Sequence, residues 1–326
     1  MYPTEARPYF GVVVARQVES LRREGVEIVH AVIAGDRGEA DYLLARRRIA
    51  HLVRAEQPDL IHCHFGYTPL AAAFLGRPYV VTLCGDDVNG ESDGRGGITL
   101  KSRLGILVTQ LFALAAARVI VKSAAMRDRL WPSARRKAEL VPNGVDEELF
   151  HPLPRREARR RVGIREGALV LGFVNSGGQA TKRLDLAAAT RDALVGRGQA
   201  AELLVAEHIP PAEMPWYYGA ADCLLMTSDL EGSPNCVKEA LACGVPVVSV
   251  PVGSVPELID TPARGRVVPR DPTQLADAVE AVLRAQPPTR HSLLPDALRA
   301  ASVAQRVLGV YRRVLERPVV GHVAAN

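Results

Sequence analysis

Residues 228–249 read Ser228-Asp-Leu-Glu-Gly-Ser-Pro-Asn-Cys-Val-Lys-Glu-Ala-Leu-Ala-Cys-Gly-Val-Pro-Val-Val-Ser249. An apolar run, Cys223 to Met226, leads in, and Val245 to Val250 runs out. Between them lie a polar loop with Glu231, Gly232 and Ser233 and a helical segment ending at Gly244. Pro234 suits the first helical position, where its missing N–H costs nothing and its φ is already helical. Strand, loop, helix and strand in this order form a βαβ unit, which makes the chain an α/β protein.

Two carboxylates stand eight residues apart in this unit: Glu231 in the loop and Glu239 on the helix. Glu239 lies about 7 Å up the axis from the helix start, at about 1.5 Å per residue. Backbone N–H groups of Ser233, Asn235, Cys236 and Val237 point out of the helix start, and such a terminus attracts phosphate. A phosphate held there has a carboxylate near each end of its ligand, suited to accept hydrogen bonds from sugar hydroxyls. An isolated glutamate pair is ordinarily a solvated loop residue and a surface helix residue. The flanking Gly-Ser-Pro and Gly-Val-Pro set this pair apart.

The stretch resembles the E-x7-E signature of the retaining glycosyltransferases of family 4. The resemblance implies a GT-B fold: two Rossmann-like domains facing across a cleft, with a nucleotide-sugar on the C-terminal one and the acceptor on the N-terminal one. It implies no metal and no cofactor, since the nucleotide-sugar is a substrate. Whether the donor is UDP- or GDP-linked stays open.

Composition agrees with such a protein. At 326 residues, two domains of about 150 residues are expected. The boundaries implied are 1–148 and 149–301, with a helix over 302–318 that packs back on the first domain, as the family's terminal helix does. No run of eighteen apolar residues marks a membrane span, and Met1 to Pro8 has no signal-peptide layout. Five cysteines in mostly apolar contexts fit buried thiols in a reducing cytoplasm. Cys236 and Cys243 lack zinc spacing. The net charge of +5 suits an anionic nucleotide or peripheral contact with an anionic membrane. The scattered arginines form no nucleic-acid module.

The remaining residues fall into place along the chain. Tyr2 to Phe10 is turn-like, Gly11 opens a helix, and Val26 to Ile33 is expected to be a strand. Arg7 to Gly11 resembles the family's first βα loop, which places Gly11 against the donor. The strand that precedes this loop in the family is missing, so the natural protein is expected to extend further at its N terminus. Glu39 to Glu56 is a helix whose Arg46, Arg47 and Arg48 form a solvated basic face or a membrane-facing patch. Pro58 to His64 is a strand. His62 and His64 share one face of it, a candidate metal pair with no adjacent third ligand. His64 stands at the carboxyl end, where open α/β sheets bind ligands. It resembles a position beside the acceptor, and a hydrogen-bonded structural histidine is the other reading.

After the strand at Pro78 to Cys84, Gly85-Asp86-Asp87 resembles the family's His-Gly-Ser-Asp turn. Cys84 and Asp86 replace its His and Ser, and Asp87 is left as a sugar or acceptor contact. Gly90 to Gly97 has the composition of a mobile loop. Pro142 to Asp146 resembles the interdomain turn. In the second half, the loop Asn175 to Arg183 ends on Lys182 and Arg183 at a helix start, which suits a diphosphate. Ser176 stands where the family has a further arginine, and Arg183 is expected to replace that charge.

The reading is a glycosyltransferase moving a sugar to a glycan or lipid-linked acceptor in cell-envelope or exopolysaccharide biosynthesis. Glu231, Lys182, His64 and Asp87 are its catalytic candidates. A nucleotide-sugar epimerase of the same fold and a truncated binding-only homologue are the alternatives.

Overall fold

The computed structural model describes residues 11–33, 38, 40–90, 98–175, 180–285 and 289–316. Ser176, the stretch Arg7 to Phe10 and most of the Gly90 to Gly97 loop lie outside these residues.

The chain divides into two compact units. One comprises Val13–Pro142 with the chain from Val303, and the other comprises Asn143–Ser302. The first contains α1 (Val12–Arg23), α2 (Ala40–Glu56), β1 (Ile61–His64), α3 (Pro69–Ala72), β2 (Tyr79–Thr82), α4 (Asp86–Asn89), α5 (Leu100–Ala115), β3 (Arg118–Val121), α6 (Ala124–Asp128), α7 (Pro132–Arg135) and β4 (Ala138–Leu140). The second contains α8 (Arg155–Val162), β5 (Leu169–Val174), α9 (Leu184–Gly196), β6 (Ala201–Ala206), α10 (Met214–Ala220), β7 (Cys223–Met226), α11 (Asn235–Ala242), β8 (Val247–Ser249), α12 (Val255–Leu258), β9 (Gly265–Val267) and α13 (Pro272–Arg284). The last helix, α14 (Ala300–Leu315), starts in the second unit and belongs to the first from Val303 on.

In the first unit four parallel strands run in the order β1-β2-β3-β4. Side chains alternate across a sheet, and this sorts the core into two layers. Cys63, Tyr79, Val81, Val119 and Val121 pack with α2, α3, α5 and α6 on one face. Val80 and Ile120 pack on the other with Leu21 of α1 and with Val303, Val307 and Val310 of α14. The strand expected over Val26 to Ile33 is not formed. That segment has no ladder partner among the described residues. An apolar segment forms a strand only where a neighbouring strand takes its N–H and C=O groups. Val26 and Ile28 instead pack beside α14, and Ile33 sits in the opposite layer.

In the second unit five parallel strands run β6-β5-β7-β8-β9. The chain begins at β5, steps to β6 on one side, then crosses to β7 on the other. The order therefore reverses between β5 and β7, and loops leaving their carboxyl ends diverge there. Asp222, just before β7, ties the opposite end together. It accepts from Arg159 Nη2 of α8 at 2.7 Å and from the Val170 amide at 2.8 Å.

The segment quoted first folds as strand, loop, helix and strand, with one shift. Pro234 (φ −65°, ψ 124°) is the extended cap residue, and α11 begins at Asn235. Its pyrrolidine ring fits either position, so composition could not separate them. At the other end Gly244 is left-handed at φ +71°, and the Val245 amide donates back to the Ala240 carbonyl at 2.9 Å. A Cβ on Gly244 would lie 2.6 Å from the His291 carbonyl oxygen. Left-handed backbone and close approach both require glycine here. Gly244→Ala is expected to destabilise the second unit by about 1–3 kcal/mol. Urea denaturation followed by circular dichroism checks this; an unchanged midpoint contradicts it.

Candidate functional site

The candidate site of the second unit lies at the carboxyl ends of β5, β7 and β8. Lys182 ends a short 3₁₀ turn, Ala180–Lys182, after β5, and Glu231 lies in the loop after β7. Lys182 Nζ and Glu231 Oε1 are 2.5 Å apart, with side chains only 18% and 13% exposed. The pair spans the point of strand-order reversal. Backbone bonds stitch the same two loops: the Asp229 amide donates to the Thr181 carbonyl at 2.8 Å, and the Thr227 hydroxyl lies 2.8 Å from the Lys182 carbonyl. Arg270 pins the loop from outside. Its Nη1 donates to the Thr227 carbonyl (3.1 Å) and Asp229 Oδ1 (2.9 Å), and its Nη2 to the Ser228 carbonyl (2.9 Å).

Arg183 is differently committed. It caps α9 in the left-handed region, and its guanidinium meets Asp185 through Nε (2.9 Å) and Nη2 (2.7 Å) and Asp229 through Nη1 (3.3 Å). Its charge is matched within the protein by two carboxylates, so it is not the spare cation that the sequence pattern suggests.

The start of α11 carries no acidic residue in its first turn, and Pro234 makes no side-chain cap bond. Asn235 Oδ1 accepts from Asn143 Nδ2 at 3.2 Å. Beneath this terminus lies Lys238, with no solvent exposure at all, reaching Ser233 Oγ (3.3 Å) and the Asn143 carbonyl (3.4 Å). These contacts tie the terminus to the chain at Asn143 from below. The half-buried Cys236 has its thiol pushed up to about 12 by burial, so it enters the site through its backbone N–H rather than as a thiolate. Glu239, one helical turn on, accepts from the buried Tyr218 hydroxyl at 3.0 Å. Burial, then the Glu239 charge, raises Tyr218 well above the usual phenol range and keeps it a donor.

Among the described residues of the second unit, three buried side-chain oxygens make no hydrogen bond within the protein: Asn175 Oδ1, Ser228 Oγ and Ser254 Oγ. They follow β5, β7 and β8, three adjacent strands of which the first two carry the ion pair. An unsatisfied buried polar atom costs roughly 1–3 kcal/mol, and three at one sheet edge mark a place built for a polar ligand.

In the first unit the corresponding strand ends bring His62, His64, Asp87 and Lys122 together. The rings of His62 and His64 stack with centroids 4.3 Å apart. Both nitrogens of His62 are occupied, Nδ1 by the Tyr311 hydroxyl (2.6 Å) and Nε2 by Thr82 Oγ1 (2.7 Å). His62 is thus a structural link to α14, and a metal bound by the pair would have to displace one of these two partners. Burial, then Lys122, lowers the His62 pKa to about 3. Burial, then His62, holds His64 well below the usual imidazole range. Both rings are neutral at pH 7.

Asp87 is turned inward. Its Oδ1 accepts from the Cys84 (3.0 Å) and Gly85 (2.9 Å) amides, and its Oδ2 from the Gly66 amide (3.0 Å). The carboxylate expected to meet a sugar therefore clamps the loops after β1 and β2. Lys122 is buried against the Val141 carbonyl at 3.2 Å, and burial lowers it to about 8. Gly11, at φ +74°, directly precedes α1.

Sequence reasoning missed Lys238, Arg270 and Lys122. A signal for Lys238 existed: it stands between Val237 and Leu241 on the apolar face of α11. The other two become visible only through partners far along the chain.

Two parallel α/β units, each with polar groups at its strand carboxyl ends, define the GT-B glycosyltransferase class. The fold is similar to that of sucrose-phosphate synthase from Thermosynechococcus elongatus, with a TM-score of 0.72 at 17% identity over 93% of each chain. It is also similar to Anabaena HepE in complex with UDP, with a TM-score of 0.58 at 20% identity over 82% of this chain and 78% of that one. In sequence the chain is 27% identical to a protein named as the teichuronic acid biosynthesis glycosyltransferase TuaC of Bacillus subtilis, over 79% of this chain and 71% of that one. Residues 7–149 match the model of glycosyltransferase family 4, and residues 185–285 match glycosyl transferases group 1. The chain belongs to this glycosyltransferase family, and it is a transferase.

The burial of Asp87 has a measurable consequence. Burial raises its carboxyl from 3.8 to about 6, against the pull of the amides at Gly85, Cys84 and Gly66. Between pH 4 and 6 the folded protein keeps a proton that the unfolded chain has lost. This contribution to stability is full below pH 4 and is lost as pH rises through 6. Urea midpoints across this range should show the falling term in the wild type and not in Asp87→Asn; equal slopes would exclude it.

Proposed function

We propose that the protein transfers a sugar, with retention at the anomeric carbon, from a nucleotide-sugar bound by the second unit to a glycan or lipid-linked acceptor recognised by the first. The observation that carries this reading is the half-buried Lys182–Glu231 pair at the strand-order reversal. The unpaired oxygens of Asn175, Ser228 and Ser254 around it support the same reading.

The residues divide the work as follows. Breaking the bond between the sugar and the diphosphate leaves negative charge on the leaving group, and stabilising it is the main electrostatic task. Lys182 Nζ is the mobile cation for that charge. Glu231 holds it in position until donor binds, then turns to the hydroxyls of the donor sugar. The amides of Asn235, Cys236 and Val237, with buried Lys238 beneath, take a phosphate oxygen. Ser233 and Pro234 shape that terminus, Arg183 steadies the loop after β7 through Asp229, and Glu239 accepts from the ribose hydroxyls. On the acceptor side, neutral His64 is a hydrogen-bonding partner. Asp87 serves by holding the loops of Gly66 and Gly85 in place.

UDP-sugars are the first donors to test, because HepE was solved with UDP. The similarity to a protein named for teichuronic acid biosynthesis favours a cell-envelope glycan as product. The protein then acts in the cytoplasm. Among the described residues no helix is long and apolar enough to cross a membrane.

A panel of UDP- and GDP-sugars, assayed for nucleotide release and for sugar inverted at C2, tests the reaction class. Release of nucleoside diphosphate supports transfer, whereas inversion without release points to an epimerase. Lys182→Ala is expected to lower kcat by roughly 10²–10³-fold with a smaller effect on KM. Unimpaired turnover would remove Lys182 from the leaving-group role. Glu239→Gln should weaken nucleotide binding in calorimetry by roughly tenfold while the midpoint of unfolding changes little. Equal affinity would place the ribose elsewhere.

A further inference from the structure

An open cavity of about 790 Å³ lies in the second unit, at the amino ends of β5, β7 and β8. Leu169 opens β5, Asp222 precedes β7 and Pro246 precedes β8, and all three line it. The cavity is therefore on the edge of the sheet opposite the Lys182–Glu231 pair. β7 alone, four residues long, sets the two edges about 13 Å apart at about 3.3 Å per residue. Pro152, Pro154, Pro246 and Leu283 give the cavity stiff apolar walls. A volume of this size accommodates a metabolite.

Against these walls stands a cluster of guanidiniums. Arg155 and Arg290 line the cavity together with Asp222. Asp222 is buried and its carboxylate is fully engaged. Its Oδ1 pairs with Arg155 Nη2, and its Oδ2 accepts from Arg159 Nη2 (2.7 Å) and the Val170 amide (2.8 Å). Arg290 is held by main chain: its Nη1 donates to the Gly219 carbonyl at 2.8 Å and its Nη2 to the Ala221 carbonyl. Among the described residues, these three guanidiniums share one carboxylate, so two positive charges are in excess. The nearby acidic groups are engaged elsewhere, Glu202 with Arg165 at 3.4 Å and Glu157 beside Arg161. Burial, then the Arg155 charge, lowers the Arg290 pKa from its usual value, as crowding of cations in a poorly solvated place requires. The fold does not need this crowding. Arg159 and the Val170 amide already satisfy Asp222, and Arg155, 48% exposed, is surplus to that task.

We propose that this cavity is a second binding site of the protein, for a small molecule that carries a phosphate group on an apolar body. A phosphate monoester holds close to two negative charges at neutral pH, which equals the excess on the arginines. Guanidinium groups meet its oxygens two at a time. A carboxylate brings one charge and leaves the other unmet. The apolar body lies against the prolines and Leu283, where burial of its surface adds to the attraction between charges. The inference does not rest on the proposed transfer, since none of these residues takes part in it.

The experiment is calorimetric titration of the full chain with phenyl phosphate at low salt, and with inorganic phosphate for comparison. Phenyl phosphate is expected to bind, and inorganic phosphate to bind roughly tenfold more weakly. Arg155→Ala should weaken phenyl phosphate roughly tenfold, and Asp222 keeps its other two partners in that variant. Thr289→Glu places a carboxylate on an exposed residue of the cavity wall and should weaken binding roughly fivefold. It stands in for the first variant if Arg155→Ala does not fold. Lys182→Ala, at the other edge of the sheet, should bind phenyl phosphate as the wild type does. The proposal is overturned if the wild type does not bind phenyl phosphate, or if both cavity variants bind it equally well. Loss of binding in Lys182→Ala also overturns it, since the anion then occupies the carboxyl edge. Equal affinity for the two probes overturns the apolar body. Binding is read without turnover, so failure here leaves the transfer reading intact, and failure of transfer leaves this site intact.

Discussion

The reversal of strand order between β5 and β7 is the constraint on which the site depends. In a parallel sheet every crossover connection returns over one face, so adjacent strands visited in opposite directions send their loops apart. The gap left at the carboxyl edge cannot be closed by backbone pairing. Here it is spanned by Lys182 and Glu231, and the flanking loops are held by the Asp229–Thr181 amide bond, the Thr227 hydroxyl and the Arg270 fork. The oxygens of Asn175, Ser228 and Ser254 stay unpaired because the surrounding main chain is already committed elsewhere.

The two units handle charge in opposite ways. In the second, Lys182 and Glu231 pair at the strand ends, and Lys238 is buried beneath a helix terminus. Such an arrangement responds strongly to an arriving anion, because interactions in a partly dry site are weakly screened. In the first, burial works against charge. His62 and His64 are held neutral, and Lys122 is drawn down toward 8.

Much of this was legible in the sequence wherever the signal was local. The helix after Ser233, the turn at Gly244 and the strands at Val119–Val121 and Leu169–Val174 follow from patterns a few residues long. The apolar segment Val26–Ile33 was equally suggestive, yet it gives no strand, because a strand is a pairing and the composition says nothing about its partner.

The sequence by itself determined that the chain is α/β, that Glu231 and Glu239 flank a helix start, and that Lys182 ends a loop suited to phosphate. Each of those statements rests on residues within one turn or one loop. Tertiary structure alone decided what each charge is paired with. Arg183 turns to Asp185 and Asp229 and not to an open site, Asp87 clamps three backbone amides, and His62 reaches Tyr311 across 249 residues of chain. Electrostatic partnership depends on distance and burial in the folded protein, and neither quantity is written in local residue order.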